Sequence, residues 1–302
     1  VTMPAATTIT SGTFDMSSTT LVLTGAGTFD LNTAVVTSPA ILTLGGITTL
    51  ANEDLSITTL NLTDFALTLN TANLTVAAAV AFDNANEQII TAGNDLTLTG
   101  GFTMSDGQIT SSAGNITLSG TTAGAPGILD FTTSTLTLNG NLDANSIGAN
   151  FTAPTNLVLT GSNATLTLAN PLSVTSLTLN DLALTMAGDL TVTNAVTIDN
   201  ANEQIITAGN NLILTATPVM SLGQLTSSGG TVTMPAATTI TSGTFDMSST
   251  TLVLTGAGTF DLNTAVVTSP AILTLGGITT LANEDLSITT LNLTDFALTL
   301  NT

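Results

Sequence analysis

Aliphatic residues alternate with small hydroxyl residues along most of this chain. Leu96-Thr-Leu-Thr, Leu136-Thr-Leu-Asn, Leu166-Thr-Leu-Ala and Leu190-Thr-Val-Thr are representative. A period of two sends successive side chains to opposite faces of a strand, so these runs predict Leu on one face and Thr on the other. Thr and Val also favour strands intrinsically. No stretch carries helical periodicity. Gly45-Gly46, Gly100-Gly101 and Asn139-Gly140 interrupt the alternation. They predict sharp corners, because Gly tolerates φ > 0.

The alternation is repeated at three scales. Residues Val1–Thr71 recur without change as Val232–Thr302, an offset of 231. Residues 1–302 therefore read as one continuous array. Residues 1–231 form a full tandem repeat, and 232–302 are the start of the next. The expected continuation after Thr302 is Ala-Asn-Leu-Thr-Val, and the expected sequence before Val1 ends Ser-Gly-Gly-Thr. Inside the repeat, Asp83–Asn94 returns unchanged as Asp199–Asn210, so the unit holds two diverged halves of about 116 residues. Below that, Leu-x-Leu motifs begin at Leu21, Leu42, Leu60, Leu74, Leu96, Ile116, Leu136 and Leu157, a period near 20 residues that shortens between Leu60 and Leu74. Such a period marks coils that stack on one another.

The expected fold is all-β: a right-handed parallel β-helix, or β-solenoid, of about 20 residues per coil. Each coil lays two or three short strands on those of the coil before. About six coils per half, at roughly 4.8 Å per rung, give a repeat about 58 Å long. A propeller or sandwich is the competing architecture, with the period read as a hairpin. Its turn signals, Asp106-Gly107 and Asn139-Gly140, do not recur in every coil. Leu60, Leu67 and Leu74 are seven apart and suggest heptads. The Leu-x-Leu alternation within them predicts three short strands on successive faces instead. Leu177, Leu184 and Leu190 repeat that arrangement.

Composition narrows the function. The chain has no Lys, Arg, His, Cys, Trp or Tyr, and its net charge is −20. Without cationic side chains it cannot neutralise phosphates or dock on anionic membranes. Without Cys it forms no disulfide and no thiolate metal site. No apolar run is long enough for a transmembrane helix. Ten Phe with no Tyr or Trp also fit poorly with the aromatic girdles of a membrane barrel. With an apolar fraction of 43 %, the chain is not a disordered acidic tail.

Carboxylates are the only acid–base groups. Glu53-Asp54, and Asp83 with Glu87, are the candidates for paired-carboxylate hydrolysis of glycosides. Neighbours on a strand point apart, which argues against the first pair. An active site copied along an array is also an unusual arrangement, so the chain is not expected to be an enzyme. The oxygen-rich segment Asp83-Asn84-Ala-Asn86-Glu87 and its copy Asp199–Glu203 offer a Ca²⁺ or other divalent-cation site. Its ligands would be Asp83, Asn86 and Glu87, or Asp199, Asn202 and Glu203. The segment matches no calcium-repeat motif, and solvated turns are the simpler reading. Thr97-Leu-Thr99, Thr135-Leu-Thr137 and Thr165-Leu-Thr167 form Thr-x-Thr rows of the kind that ice-binding solenoids carry; Thr is also simply a good outward strand residue. Sequons at Asn61, Asn73, Asn115 and Asn163 are expected by chance in a chain so rich in Asn and Thr.

Runs such as Asn115-Ile-Thr-Leu-Ser-Gly120 and Ser134-Thr-Leu-Thr-Leu-Asn-Gly140, repeated about every 20 residues, resemble the β-strand repeats of prokaryotic surface proteins. Filamentous-haemagglutinin-like adhesins and autotransporter passengers are the familiar examples. The resemblance is one of style over the whole chain. It implies secretion to the cell surface and a role in adhesion, biofilm or envelope. The absence of basic residues and the unchanged repeat depart from that group and point toward a structural fibre or sheath that associates with itself. An adhesin stalk is the second reading.

Overall fold

The alternation is realised as burial. The computed structural model describes residues 1–123, 126–143, 150–160, 165–167, 170–283 and 285–301. Leu96 and Leu98 are fully buried, and Thr97 between them is half-buried. The same holds for Leu21 and Leu23, Leu42 and Leu44, Ile116 and Leu118, and Leu136 and Leu138. Each such residue contributes roughly 1.5–3 kcal/mol on leaving water. No described residue lies in an α-helix, and the strands pair in parallel. The protein is a β-solenoid of about 14 turns, roughly 20 residues apart.

The chain divides into two units, Val1–Thr155 and Asn156–Thr302. In the first, an eight-stranded sheet starts at Thr7–Thr8 and ends at Phe151–Thr152. A second face is carried first by Thr2–Pro4, Thr20–Thr24, Ile41–Gly45 and Thr59–Asn61. A different sheet then begins with Leu55–Ile57 and runs through Leu74–Val76, Leu96–Leu98, Asn115–Leu118 and Thr135–Leu138. There Leu74 lies opposite Leu96, Leu96 opposite Ile116 and Ile116 opposite Leu136. The heptad-spaced region spans this change. Thr59–Asn61, Ala66–Asn70 and Leu74–Val76 lie in three separate sheets, so the seven-residue spacing is strand plus corner.

In the second unit, a seven-stranded sheet runs from Leu172–Val174 to Thr290–Asn292. The boundary between tandem copies falls inside it. Leu212 lies opposite Val232 and Ile213 opposite Thr233, and Val232 is in turn opposite Leu252. The two identical stretches also fold alike. Thr20 opposes Ile41 as Thr251 opposes Ile272, and Gly27 opposes Thr48 as Gly258 opposes Thr279.

Corners are made in two ways. The first is a short motif, Asp followed by an inward apolar residue. In Asp30-Leu-Asn-Thr and Asp130-Phe-Thr-Thr the carboxylate accepts the N–H two residues on, from Asn32 (2.8 Å) and Thr132 (3.1 Å). The inward residue's C=O accepts the N–H three residues on, Ala34 to Leu31 at 2.9 Å and Ser134 to Phe131 at 3.0 Å. Asn32 and Thr133 take left-handed backbone, φ 43° and 61°. Asp15, Asp246 and Asp261 begin the same corner. The second way uses Gly, and its reason differs from the one expected at three positions. Gly101 and Gly140 do have positive φ. Gly45, Gly46 and Gly100 do not; they are small because the neighbouring coil passes close, and a Cβ on Gly46 would lie 2.2 Å from the Gly25 carbonyl oxygen.

A polar ladder threads the apolar interior. The Thr91 hydroxyl donates to Ser111 Oγ (2.9 Å), as does the Ser134 hydroxyl (2.7 Å). Ser111 passes its own proton to the Ala113 carbonyl (2.6 Å). All three residues are buried. The second unit repeats the motif with Thr207 donating to Ser227 Oγ (2.8 Å) and Thr250 to the Ser227 carbonyl (2.9 Å).

Candidate functional site

The segment Asp83–Glu87 follows the strand Val80–Phe82, whose ends are buried. The backbone then turns, with the Glu87 N–H donating to the Asn84 carbonyl (2.9 Å). This brings the Glu87 carboxylate back over the turn. Its Oε2 accepts the backbone N–H of Asp83 (2.7 Å) and of Asn84 (3.3 Å), and its Oε1 accepts the N–H of Asp64 (3.4 Å). Glu87 is only 6 % exposed. Its charge is met by three peptide dipoles, since the protein holds no cationic side chain. Glu203 repeats the clamp on Asp199 (2.8 Å) and Asn200 (3.3 Å).

Asp64, Asp83 and Glu87 bring carboxylate oxygens within 4.8 Å of one another, the one group of three acidic side chains this close among the described residues. Asp64 comes from an earlier coil and was not among the ligands expected from sequence. The backbone N–H of Asn86 closes onto Asn84 Oδ1 (3.0 Å), as that of Asn202 does onto Asn200 (3.0 Å). Three carboxylates are oxygen ligands of the kind Ca²⁺ accepts, although Ca²⁺ takes six to eight. Both Glu87 oxygens already serve the backbone. The geometry is first that of a clamp for a corner.

Of the Glu53-Asp54 pair, Asp54 is tied to the next coil. Asp54 accepts the N–H of Asn73 (2.8 Å) and its side-chain amide (3.2 Å). Asn73 Oδ1 accepts the N–H of Asp95 (2.8 Å), and Asp95 accepts the N–H (2.7 Å) and amide (3.1 Å) of Asn115. Carboxylate and amide thus alternate on four successive coils. Asp189 and Asn211 form the same step in the second unit (2.7 Å). Two of the sequon asparagines, Asn73 and Asn115, are therefore ladder members. Asn61 donates to Thr43 Oγ1 (3.1 Å). Asn163 lies outside the described residues, as do residues 168–169 of the Leu166 run.

With the two clamps, the five Asp corners, Asp54, Asp95 and Asp189, and Asp106 on its neighbour Gly107, most of the carboxylates accept a backbone N–H. The Ser17 N–H, and then the Ser17 hydroxyl, hold the Asp15 carboxyl below its usual 3.8.

Beside the ladder, Ser56, Thr75, Thr97, Thr117 and Thr137 stand in one outward column. In the second unit the matching column runs Ser173, Thr191, Ile213, Thr233, Val253, so aliphatic residues break the hydroxyl row. Compared with protein families, curated proteins and solved structures, the protein has no match in any of the three.

Proposed function

We propose that this protein is a stretch of a structural fibre, extracellular and built by the stacking of tandem coils. The observation that carries this reading is the copy junction. Val232 begins a new copy, yet it is paired on one side to Leu212 and on the other to Leu252 without a linker or a change of sheet. A repeat that joins its successor through the same ladder that holds its own coils can be concatenated indefinitely. Stability then grows with length while the two ends stay constant. The clamps and ladders support this reading, because they place the carboxylates in corner and rung hydrogen bonds.

The likeness in style to the repeats of filamentous-haemagglutinin-like and autotransporter surface proteins supports a place at the cell surface. It also supports the second reading, the stalk of an adhesin. Electron microscopy of the purified natural protein tests both. About 14 turns over 302 residues put about 11 in the 231-residue unit, so a bare filament with an axial repeat of about 53 Å, or half that, at roughly 4.8 Å per rung, is the expected result. A filament tipped by a non-repetitive head would favour the stalk, and a globular particle would overturn both.

A further inference from the structure

The geometry points to Asn139 as a site of spontaneous chemical modification: deamidation through a cyclic imide formed with Gly140. Asn139-Gly140 is the only Asn-Gly step in the sequence. It closes a Leu-x-Leu strand at a corner that other coils make with Thr24-Gly25, Ser119-Gly120 and Thr255-Gly256. The glycine is required there. Gly140 has φ 141°, and a Cβ would lie 3.0 Å from the Gly120 nitrogen. The sequence therefore retains the residue that least hinders ring closure on the preceding side chain.

The reacting groups are also free. The Asn139 backbone N–H is held by the Leu118 carbonyl (2.9 Å), but its exposed amide makes no hydrogen bond among the described residues. The Gly140 N–H has no partner among them either. Several other asparagines are engaged. The Asn73 and Asn115 amides are tied to aspartates, and those of Asn94 and Asn210 to backbone carbonyls. At the related Asp106-Gly107 step, the Gly107 N–H is bound by the Asp106 carboxylate (2.8 Å).

The chemistry needs only water. The Gly140 nitrogen loses its proton and attacks Asn139 Cγ; the bond from Cγ to Nδ2 breaks and ammonia leaves. Water then opens the imide at either carbonyl, giving aspartate or isoaspartate. The net change is one water consumed, one ammonia released and one carboxylate gained. The isoaspartyl product adds a methylene to the backbone just after a rung that ends at Leu138.

The test is incubation of the full, folded protein in mildly alkaline buffer, followed by proteolysis and mass spectrometry that distinguishes isoaspartate. Asn139 is expected to gain one mass unit before any other asparagine, with isoaspartate among the products. Asn139→Thr, the residue used before Gly25 and Gly256, is expected to abolish that signal, and Asn139→Ser provides a second variant should the first fold poorly. Conversion at other asparagines first, or at Asn139 only after denaturant is added, would overturn the assignment.

Discussion

Ser134 and Ser111, on neighbouring coils of the interior, share a 2.7 Å hydrogen bond between buried hydroxyls. Ser111 also receives the Thr91 hydroxyl, so one serine satisfies a coil on either side. Ser111→Ala strands the buried Thr91 hydroxyl, while the Ser134 hydroxyl keeps the Ser111 carbonyl at 3.1 Å. The expected loss is about 1–3 kcal/mol in a denaturant titration. Adding Thr91→Val removes the stranded hydroxyl and is expected to recover much of that loss, since apolar replacement of both partners is nearly neutral.

Gly101 and Gly120 separate two costs of a side chain at a corner. Both have positive φ, but a Cβ at Gly101 would lie 1.8 Å from the Gly120 carbonyl oxygen, whereas nothing lies within 4 Å of one at Gly120. Gly120→Ala is expected to cost only the left-handed backbone penalty, about 1–2 kcal/mol. Gly101→Ala adds a backbone collision and is expected to cost clearly more. Thermal melts of the two variants side by side check the order.

The Glu87 and Glu203 clamps differ by one acceptor contact, because Glu87 also takes the Asp64 N–H. Glu87→Ala is therefore expected to destabilise more than Glu203→Ala, at about 1–3 kcal/mol per stranded donor. Hydrogen exchange at the amides of residues 64, 83 and 84 reads the loss directly. Repeating the melts with Ca²⁺ and with EDTA shows whether the three-carboxylate corner also takes a cation. A shift in the wild type that Asp64→Asn abolishes would place the cation there.

Asp15 gives the pH dependence a sign. Its carboxyl is held below 3.8 by the Ser17 N–H and hydroxyl, so the charged form is the one the fold favours. The resulting stabilisation is present above the unfolded value and is lost as pH falls through the lower folded value. The group is fully exposed, so the effect is small and screened by salt. Asp15→Asn is expected to remove that small contribution at neutral pH and so flatten the acid limb below 3.8, leaving stability at the lowest pH unchanged. A titration followed by carboxyl NMR shifts tests it.

Much of the architecture was legible because burial follows the simplest pattern a strand can have. Leu96-Thr-Leu98 reads inward, outward, inward, and it is so. The three strands hidden in the heptad-like run from Leu60 were legible for the same reason. The corners were harder. Gly46 looks like a residue chosen for φ > 0, and the true cause, a carbonyl on the next coil, is invisible without knowing what stacks on it. The Asp-plus-apolar corner was missed, although Asp30-Leu, Asp130-Phe and Asp246-Met share its signature. Asp64 was missed at the clamp because its partner is 23 residues away, one coil on. Contacts between coils depend on register, which a period near 20 gives only approximately.

The alternation of Asp54, Asn73, Asp95 and Asn115 has an electrostatic consequence along the axis. Identical residues stacked in a parallel ladder would place carboxylates roughly 4.8 Å apart, well inside the Debye length of about 8 Å at physiological ionic strength. Interposing an amide doubles the spacing to about 9.6 Å, two rungs of roughly 4.8 Å. Each charge then lies beyond the screening distance of the next, while every rung keeps its hydrogen bond. A protein with no positive side chain to neutralise its charges has instead diluted them along a line.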